Sequence, residues 1–146
     1  MLNNKVAVVY GASGGIGGAV ARAFAREGAK VFPTGRDPAS TDVEQVDALD
    51  EQAIDAHLQS VIDTAGRIDI SFNAIGISNA QILGVPLTEL DLEHFQDPIA
   101  AYTTSYFLTA RLAARRMIPN KSGVILSLIH ISDPRDGLLS RMPSSA

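Results

Sequence analysis

A continuously apolar segment that leads directly into a glycine-dense turn is the feature of this chain that most restricts its fold. Residues 6–10 read Val-Ala-Val-Val-Tyr, the segment Gly11-Ala-Ser-Gly-Gly-Ile-Gly17 follows at once, and a helix-like run extends from Gly18 to Glu27. An uninterrupted apolar strand is typical of a parallel sheet, because both of its faces are covered. The order of strand, glycine turn and helix is typical of a βα unit that binds the pyrophosphate of a dinucleotide.

The glycines have specific positions in such a unit. Gly11 allows the chain to leave the strand in a conformation that a Cβ would oppose, and Gly15 and Gly17 remove side chains where a pyrophosphate would approach the backbone. The N–H groups and the positive dipole end of the following helix would face the anion. The alternative is a glycine-rich turn between a strand and a helix that binds nothing.

The rest of the chain alternates between strand-like and helix-like segments. Further strands are predicted at 31–34, 43–46, 68–73 and 124–126. A helix capped by Asp50 is predicted to end at Gly66. Strands that alternate with helices predict right-handed crossovers and a parallel α/β sheet.

Two prolines bear on this assignment. Pro33 is unfavourable in a central strand, because proline has no N–H to donate to the ladder. The chain is predicted to be helical from Leu92, and Pro98 is placed in the first turn of a second long helix that ends at Met117.

Composition limits the class of protein. The 146 residues suit one domain, with 46% hydrophobic and 19% charged residues, a net charge of −4 and no cysteine. The negative charge argues against nucleic-acid binding, and no apolar run is long enough to cross a membrane. The first strand begins by Lys5, which leaves no room for a signal peptide, so we expect a cytoplasmic protein. His57, His94 and His130 lack metal-ligand spacing, so no metal site is predicted.

The spacing G-x-x-x-G-x-G resembles the short-chain dehydrogenase/reductase family, whose motif is usually written T-G-x-x-x-G-x-G. Tyr10 stands where the family most often has Thr. The resemblance covers residues 3 to about 125 and implies an α/β, Rossmann-type doubly wound parallel sheet of order 3-2-1-4-5, truncated after the fifth strand. It implies that residues 1–125 are an incomplete NAD(P)-binding domain. The parent protein would be a homo-oligomeric NAD(P)(H)-dependent oxidoreductase that transfers hydride between nicotinamide and a small-molecule alcohol or carbonyl.

The resemblance also assigns cofactor-binding positions. In the glycine loop these are Gly11, Ser13, Gly15, Ile16 and Gly17. At the end of the second strand, Gly35 leaves room and the Arg36 guanidinium can bind a 2′-phosphate with a bidentate fork, which favours NADP over NAD. The alternative for Arg36 is a solvated loop charge.

Two later segments match the family in part. Val46-Asp47-Ala48-Leu49-Asp50 resembles a D-V-x-D stretch, which makes Asp47 the candidate acceptor from the adenine amino group and places Ala48 beside it. Asn73-Ala-Ile-Gly76 resembles N-N-A-G, which implies that Asn73 and Gly76 lie near the adenosine ribose. Tyr102 stands where the family has an Asn that holds a water for proton relay, and that role is not carried over.

The acid–base pair of the family is missing. It is written Tyr-x-x-x-Lys, and here the tyrosines are Tyr10, Tyr102 and Tyr106, none with a lysine four residues later. No catalytic residue is therefore assigned, and we expect this chain to be inactive. The alternatives to an oxidoreductase are a non-catalytic NADP-binding sensor and a non-functional fragment.

Residues 126–146 resemble a translated sequencing-library adapter. The codons CTG TCT CTT ATA CAC ATC TCC read Leu-Ser-Leu-Ile-His-Ile-Ser, as at 126–132, and GAC CCA CGA GAC read Asp-Pro-Arg-Asp, as at 133–136. The flow-cell end, TCT CGT ATG CCG TCT TCT GCT, reads Ser-Arg-Met-Pro-Ser-Ser-Ala, as at 140–146. Gly137-Leu-Leu139 would be the sample barcode. We therefore expect residues 126–146 to be a non-native tail, with a natural divergent tail as the alternative.

Overall fold

The central element of the fold is β1 (Val6–Tyr10), in which every residue is buried. The computed structural model describes residues 1–37, 42–77 and 80–128. Around β1 it forms a five-stranded parallel sheet of order β3-β2-β1-β4-β5. The other elements are α1 (Gly15–Arg26), β2 (Lys30–Gly35), β3 (Glu44–Gln45), α2 (Glu51–Ala65), β4 (Ile70–Asn73), α3 (Leu92–Met117), a 3-10 turn (Ile118–Asn120) and β5 (Val124–Ser127). The α/β fold with a parallel sheet is confirmed.

Side chains of β1 alternate between two core layers, as the pleat requires. Val8 and Tyr10 pack with residues of α2 and α3 such as Leu58 and Leu112. Val9 packs on the opposite face with Ala21 and Phe72. The sheet is therefore covered on both faces, which explains why the strand is apolar without alternation.

Helix α2 begins and ends where its capping residues predict. The Asp50 carboxylate accepts hydrogen bonds from the N–H groups of Gln52 and Ala53 at 2.9 and 3.1 Å. Gly66 ends the helix in the left-handed conformation, with φ 77°. Both capping signals depend on adjacent residues only, so the sequence predicts them.

Pro33 lies inside β2, and its missing N–H costs no ladder bond. The N–H of Lys30 donates to Lys5 beside β1 at 2.9 Å. Alternate residues of a parallel strand face the same neighbour, so Pro33 faces the opposite side. On that side β3 pairs only with Thr34 and Gly35. The proline therefore occupies an edge-like position in an inner strand.

The expected helix boundary at Pro98 is wrong. A single 26-residue helix runs from Leu92 to Met117, and Pro98 lies inside it. Proline already has a helical φ, and at this position it removes one hydrogen bond, to the carbonyl of His94. The N-terminus is held independently by Asp91, whose carboxylate accepts from the N–H of His94 at 2.9 Å.

Strand β5 extends slightly beyond its predicted end. Leu126 and Ser127 pair with Phe72 and Asn73 of β4, so the strand includes two residues of the segment interpreted as adapter. Residues 129–146, including His130, lie outside the described residues. Among the described helices, none is both long and apolar enough to cross a bilayer.

Candidate cofactor site

A cleft of about 850 Å³ opens at the carboxyl ends of β1, β2 and β4. Ligands of open α/β sheets bind at this edge, where the strand order reverses. Most of the cofactor positions predicted from the sequence line this one cleft, namely Gly11, Ser13, Gly15, Ile16, Gly17, Arg36, Asp47, Ala48 and Gly76. Residues that are separated by up to 65 positions in the chain thus share a single cavity of the size that small molecules occupy.

Two glycines of the loop are required by backbone packing. Gly11 has φ 72°, and a Cβ on it would lie 2.6 Å from the carbonyl oxygen of Ala74. A Cβ on Gly17 would lie 2.2 Å from the carbonyl oxygen of Gly11. The reason for glycine at position 17 is therefore the folding of the loop on itself, in addition to any approach of a ligand.

Gly15 has a different environment. A Cβ on Gly15 would meet no atom within 4 Å, and the residue lines the cleft as the first residue of α1. The N-cap of α1 is Gly14, which has no side chain to cap the helix, and the first turn contains no acidic residue. No side chain of the first turn competes for its N–H groups, and Gly15, Ile16 and Gly17 line the cleft, as an anion site at a helix N-terminus requires.

Arg36 extends the cleft beyond β2. Its side chain is exposed and lines the cavity, and its carbonyl accepts a hydrogen bond from Nε2 of Gln45 at 3.2 Å. The glycine loop is tied to the same strand, since the N–H of Ala12 donates to the carbonyl of Thr34 at 2.8 Å. The backbone of Arg36 and the glycine loop are therefore held on neighbouring parts of the same wall.

Asp47 and Ala48 form the wall after β3. One carboxylate oxygen of Asp47 accepts from the N–H of Leu49 at 2.9 Å, which shapes the turn before α2. Asp47 is exposed and Ala48 is buried, and both line the cleft.

Asn73 does not line the cleft. It is 2% exposed, its amide donates to Oγ1 of Thr109 at 3.1 Å, and its side-chain oxygen accepts from the N–H of Ile75 at 3.0 Å. Both ends of the amide are therefore engaged in fixing the turn after β4 against α3. Its position supports the backbone at Gly76, where a Cβ would meet nothing within 4 Å.

Helix α3 contributes a wall that the sequence interpretation missed. Asp97, Ala100, Ala101 and Thr104 line the cleft at a spacing of three and four residues, which places them on one face of the helix. The three small residues are the signal that could have indicated this face. Tyr102 is next to it, and its hydroxyl accepts a hydrogen bond from the N–H of Ile77 at 3.2 Å.

Two buried titratable groups lie on the α2 side of the sheet. Burial raises the pKa of the Tyr10 hydroxyl far above its usual value, and that hydroxyl has no hydrogen-bond partner among the described residues. Burial also lowers the pKa of His57, against the opposing effect of Glu44 at 3.4 Å. Both groups are uncharged near neutral pH and belong to the core. No group of three metal-ligating side chains occurs within the described ranges.

Comparison with known proteins agrees with this arrangement. The model of a family described as enoyl-(acyl carrier protein) reductase matches residues 11–135. The chain belongs to the short-chain dehydrogenase/reductase family. The match begins at the first glycine of the loop and includes every cofactor position predicted from the sequence.

Several relatives of this chain are named as oxidoreductases or dehydrogenases. The borneol dehydrogenase of Lavandula x intermedia is 35% identical over 136 residues, which are 86% of this chain and 51% of that protein. The D-threitol dehydrogenase of Mycolicibacterium smegmatis is 28% identical over 141 residues, 87% of this chain and 53% of that protein. An uncharacterized oxidoreductase of Staphylococcus saprophyticus is 30% identical, with 90% of this chain and 61% of that protein covered. The chain thus spans about half to three fifths of the length of these relatives.

Proposed function

We propose that this chain is the cofactor-binding part of an NAD(P)(H)-dependent oxidoreductase that transfers hydride between nicotinamide and a small alcohol or carbonyl. The observation that carries the proposal is the single cleft into which the glycine loop, Arg36, Asp47 and Gly76 all open. The names of the relatives support the reaction class.

The residues of the cleft fit a dinucleotide. The cofactor supplies or accepts the hydride, and the chain supplies the contacts that hold it. The first turn of α1 binds the pyrophosphate, the open space over Gly15 and Gly76 admits it, and Asp47 accepts from the adenine amino group. Ile16 is half exposed at the mouth of the cleft and would be covered by the cofactor.

Arg36 makes NADP the preferred cofactor, with NAD as the alternative. It is a cation directly after β2 and next to Gly35, where a protein that prefers NAD carries an acidic residue for the ribose hydroxyls. Its guanidinium can bind the 2′-phosphate through two parallel hydrogen bonds.

The chain as it stands binds the cofactor without turnover, because it contains no Tyr-x-x-x-Lys pair. We interpret residues 126–146 as adapter-derived, with residues 1–125 as the natural part. The family match continues to residue 135, so the boundary has to be found in the gene. Sequencing the parent locus past the codon for Ile125 tests this directly, and natural coding sequence identical to residues 126–146 would contradict it.

Titration of the purified chain with NADPH and with NADH, followed by cofactor fluorescence, tests the binding function. Tighter binding of NADPH supports the proposal. The absence of binding to either cofactor would contradict it and favour a non-functional fragment.

A second candidate is a non-catalytic protein that senses NADP. The residue that favours it is Tyr102, a bulky phenol bound to the backbone at Ile77 in the place where the family has a water-binding Asn. The full-length protein of the locus separates the two candidates: a Ser and a Tyr-x-x-x-Lys pair with turnover indicate the enzyme, and binding without turnover indicates the sensor.

The remaining assignments belong to the same proposal. The partner of the full-length protein is a small-molecule alcohol or carbonyl, with no role for nucleic acid or a membrane. A homo-oligomer in the cytoplasm is the expected form of the full-length protein. Size-exclusion chromatography and fractionation of the source cells test these two expectations.

A further inference from the structure

The side chain of Ser13 lies directly over Gly35, where β2 meets the cleft. A Cβ built on Gly35 would lie 2.7 Å from Oγ of Ser13, 3.2 Å from Cβ of Ser13 and 3.2 Å from Cγ1 of Val43. Gly35 does not have a positive φ, so its backbone conformation suits any residue. The neighbouring side chains, rather than the backbone conformation, oppose a larger residue at this position.

The position of Ser13 is set by the loop. The N–H of the preceding residue, Ala12, is bonded to the carbonyl of Thr34 at 2.8 Å, and Ala12 itself is buried. Rotation of the Ser13 hydroxyl can relieve the contact with Oγ. It does not relieve the contact with Cβ at 3.2 Å, which requires the loop backbone to shift by a few tenths of an ångström.

Position 35 is the last residue of β2, where a carboxylate would bind the two ribose hydroxyls of NAD. We propose that Ser13 is a specificity-determining residue, which keeps position 35 closed to an acidic side chain and leaves Arg36 as the group that meets the 2′ position of the ribose. Cofactor selectivity is then a property of the pair Ser13 and Gly35, rather than of position 35 alone. This inference rests on the proposed function.

Four proteins test the pair in binding: the original chain, Gly35→Asp, Ser13→Gly and the double variant. The probes are NADPH, NADH, 2′,5′-ADP and 5′-AMP, which separate the 2′-phosphate from the rest of the cofactor. We expect Gly35→Asp alone to weaken NADPH and 2′,5′-ADP without tightening NADH. We expect the double variant to bind NADH at least about 10-fold more tightly than Gly35→Asp does, since a hydrogen bond to a charged group is worth about that much. Equal NADH affinity of Gly35→Asp and the double variant would overturn the inference.

Thermal unfolding tests the steric contact without a cofactor and without the negative charge that Gly35→Asp introduces. Gly35→Ala places only a Cβ against Ser13, and we expect the unfolding temperature to fall by about 4–10 °C, as overpacking does in a domain of this size. Adding Ser13→Gly should recover at least half of that loss. Gly76→Ala is the control, because a Cβ there meets nothing within 4 Å, and its unfolding temperature should change by less than about 2 °C.

Nucleotide binding and unfolding temperature together distinguish a failure of the proposed function from a failure of the specificity role of Ser13. If the original chain binds no nucleotide, the proposed function fails and the specificity role fails with it, whatever the unfolding temperatures show. If NADPH binds but Gly35→Ala is as stable as the original chain, the steric contact is absent and the role of Ser13 is overturned while the proposed function stands.

Discussion

The phenol oxygen of Tyr102 accepts a hydrogen bond from the backbone N–H of Ile77 at 3.2 Å. This contact joins α3 to the turn that leaves β4, in which residues 74–77 line the cleft. Tyr106, one helical turn further along α3, stacks on Tyr102 with ring centroids 5.9 Å apart. One tyrosine therefore holds the cleft wall through a hydrogen bond, and the other supports it through packing.

Tyr102→Phe removes only the hydroxyl that holds Ile77. We expect the amide of Ile77 to exchange faster with deuterium, by about 2–10-fold, as the loss of one ordinary hydrogen bond predicts. Tyr106→Phe is the matched control and should leave that amide unchanged. Hydrogen exchange read by NMR or mass spectrometry distinguishes them, and equal behaviour of both variants would contradict the role of Tyr102.

Gly17→Ala and Gly15→Ala should have opposite effects, although the two glycines are two residues apart. The first places a Cβ 2.2 Å from the carbonyl of Gly11 and should destabilise the fold by about 3 kcal/mol or more. The second meets no atom within 4 Å and should preserve or slightly raise stability, because alanine is the better helix former. Urea unfolding measures both, and nucleotide titration should show weaker binding for Gly15→Ala, since its methyl group occupies the open space of the cleft.

Arg36→Ala should weaken NADPH binding more than NADH binding. The expected difference is about 1.5–3 kcal/mol, the range for a hydrogen bond to a charged group. Arg26→Ala is the control, because it removes a positive charge at the C-terminal end of α1, whereas the glycine loop lies at its N-terminal end. Equal losses for the two cofactors would show that the guanidinium does not contact the 2′-phosphate.

His57 should make the fold less stable in acid. Burial holds its pKa in the folded chain below the unfolded value of about 6.5, so the unfolded chain binds the proton more strongly. The contribution of neutral His57 is present above that value and is lost as the pH falls from about 6.5 through the lower folded pKa. Urea unfolding at pH 7.5 and 5 should show a smaller decrease for His57→Phe than for the original chain.

The pKa of His94 is shifted in the opposite direction to that of His57. Its ring lies 2.5 Å from the Asp91 carboxylate, which raises the pKa of His94 in the folded state. Its contribution is therefore present below about pH 6.5 and is lost as the pH rises through the higher folded pKa. If His94→Asn reproduced the effect of His57→Phe, the pH dependence would not come from burial.

Tyr10→Phe should leave the stability unchanged or raise it by about 1 kcal/mol. The hydroxyl is buried without a partner among the described residues, so its removal costs no hydrogen bond. Tyr10→Thr, the residue most common in the family motif, should instead cost about 2–4 kcal/mol, because the ring fills the core beside Leu58 and Leu112. Thermal unfolding of the two variants checks this difference.

The features that the sequence predicted correctly depend on neighbours in the chain. The Asp50 cap, the Gly66 stop and the apolar strand at Val6–Tyr10 each follow from a few adjacent residues. The position of the cleft follows from the strand order that the family resemblance implied.

The features that were missed depend on contacts between distant residues. Gly11 packs on Ala74, and Asn73 binds Thr109 across 36 positions, which no local pattern reveals. Pro98 suggested a new helix because proline is common in a first turn, whereas α3 begins at the distant cap Asp91 and continues through the proline. Ala100, Ala101 and Thr104 could be recognised as cleft-lining residues only once the structure placed α3 beside β4.

Helix α3 is a single rod of about 39 Å by its residue count, at about 1.5 Å per residue. Near one end, Ala100 and Thr104 line the cleft, and at the other end Met117 lies so close to Gly123, just before β5, that a Cβ there would overlap its sulfur. The proline of α3 lies in its second turn and the helix contains no glycine. No proline or glycine therefore interrupts the helix between Ala100 and Met117. The cleft and the outermost strand should therefore unfold in one cooperative transition, and a ligand in the cleft should slow proteolysis at β5.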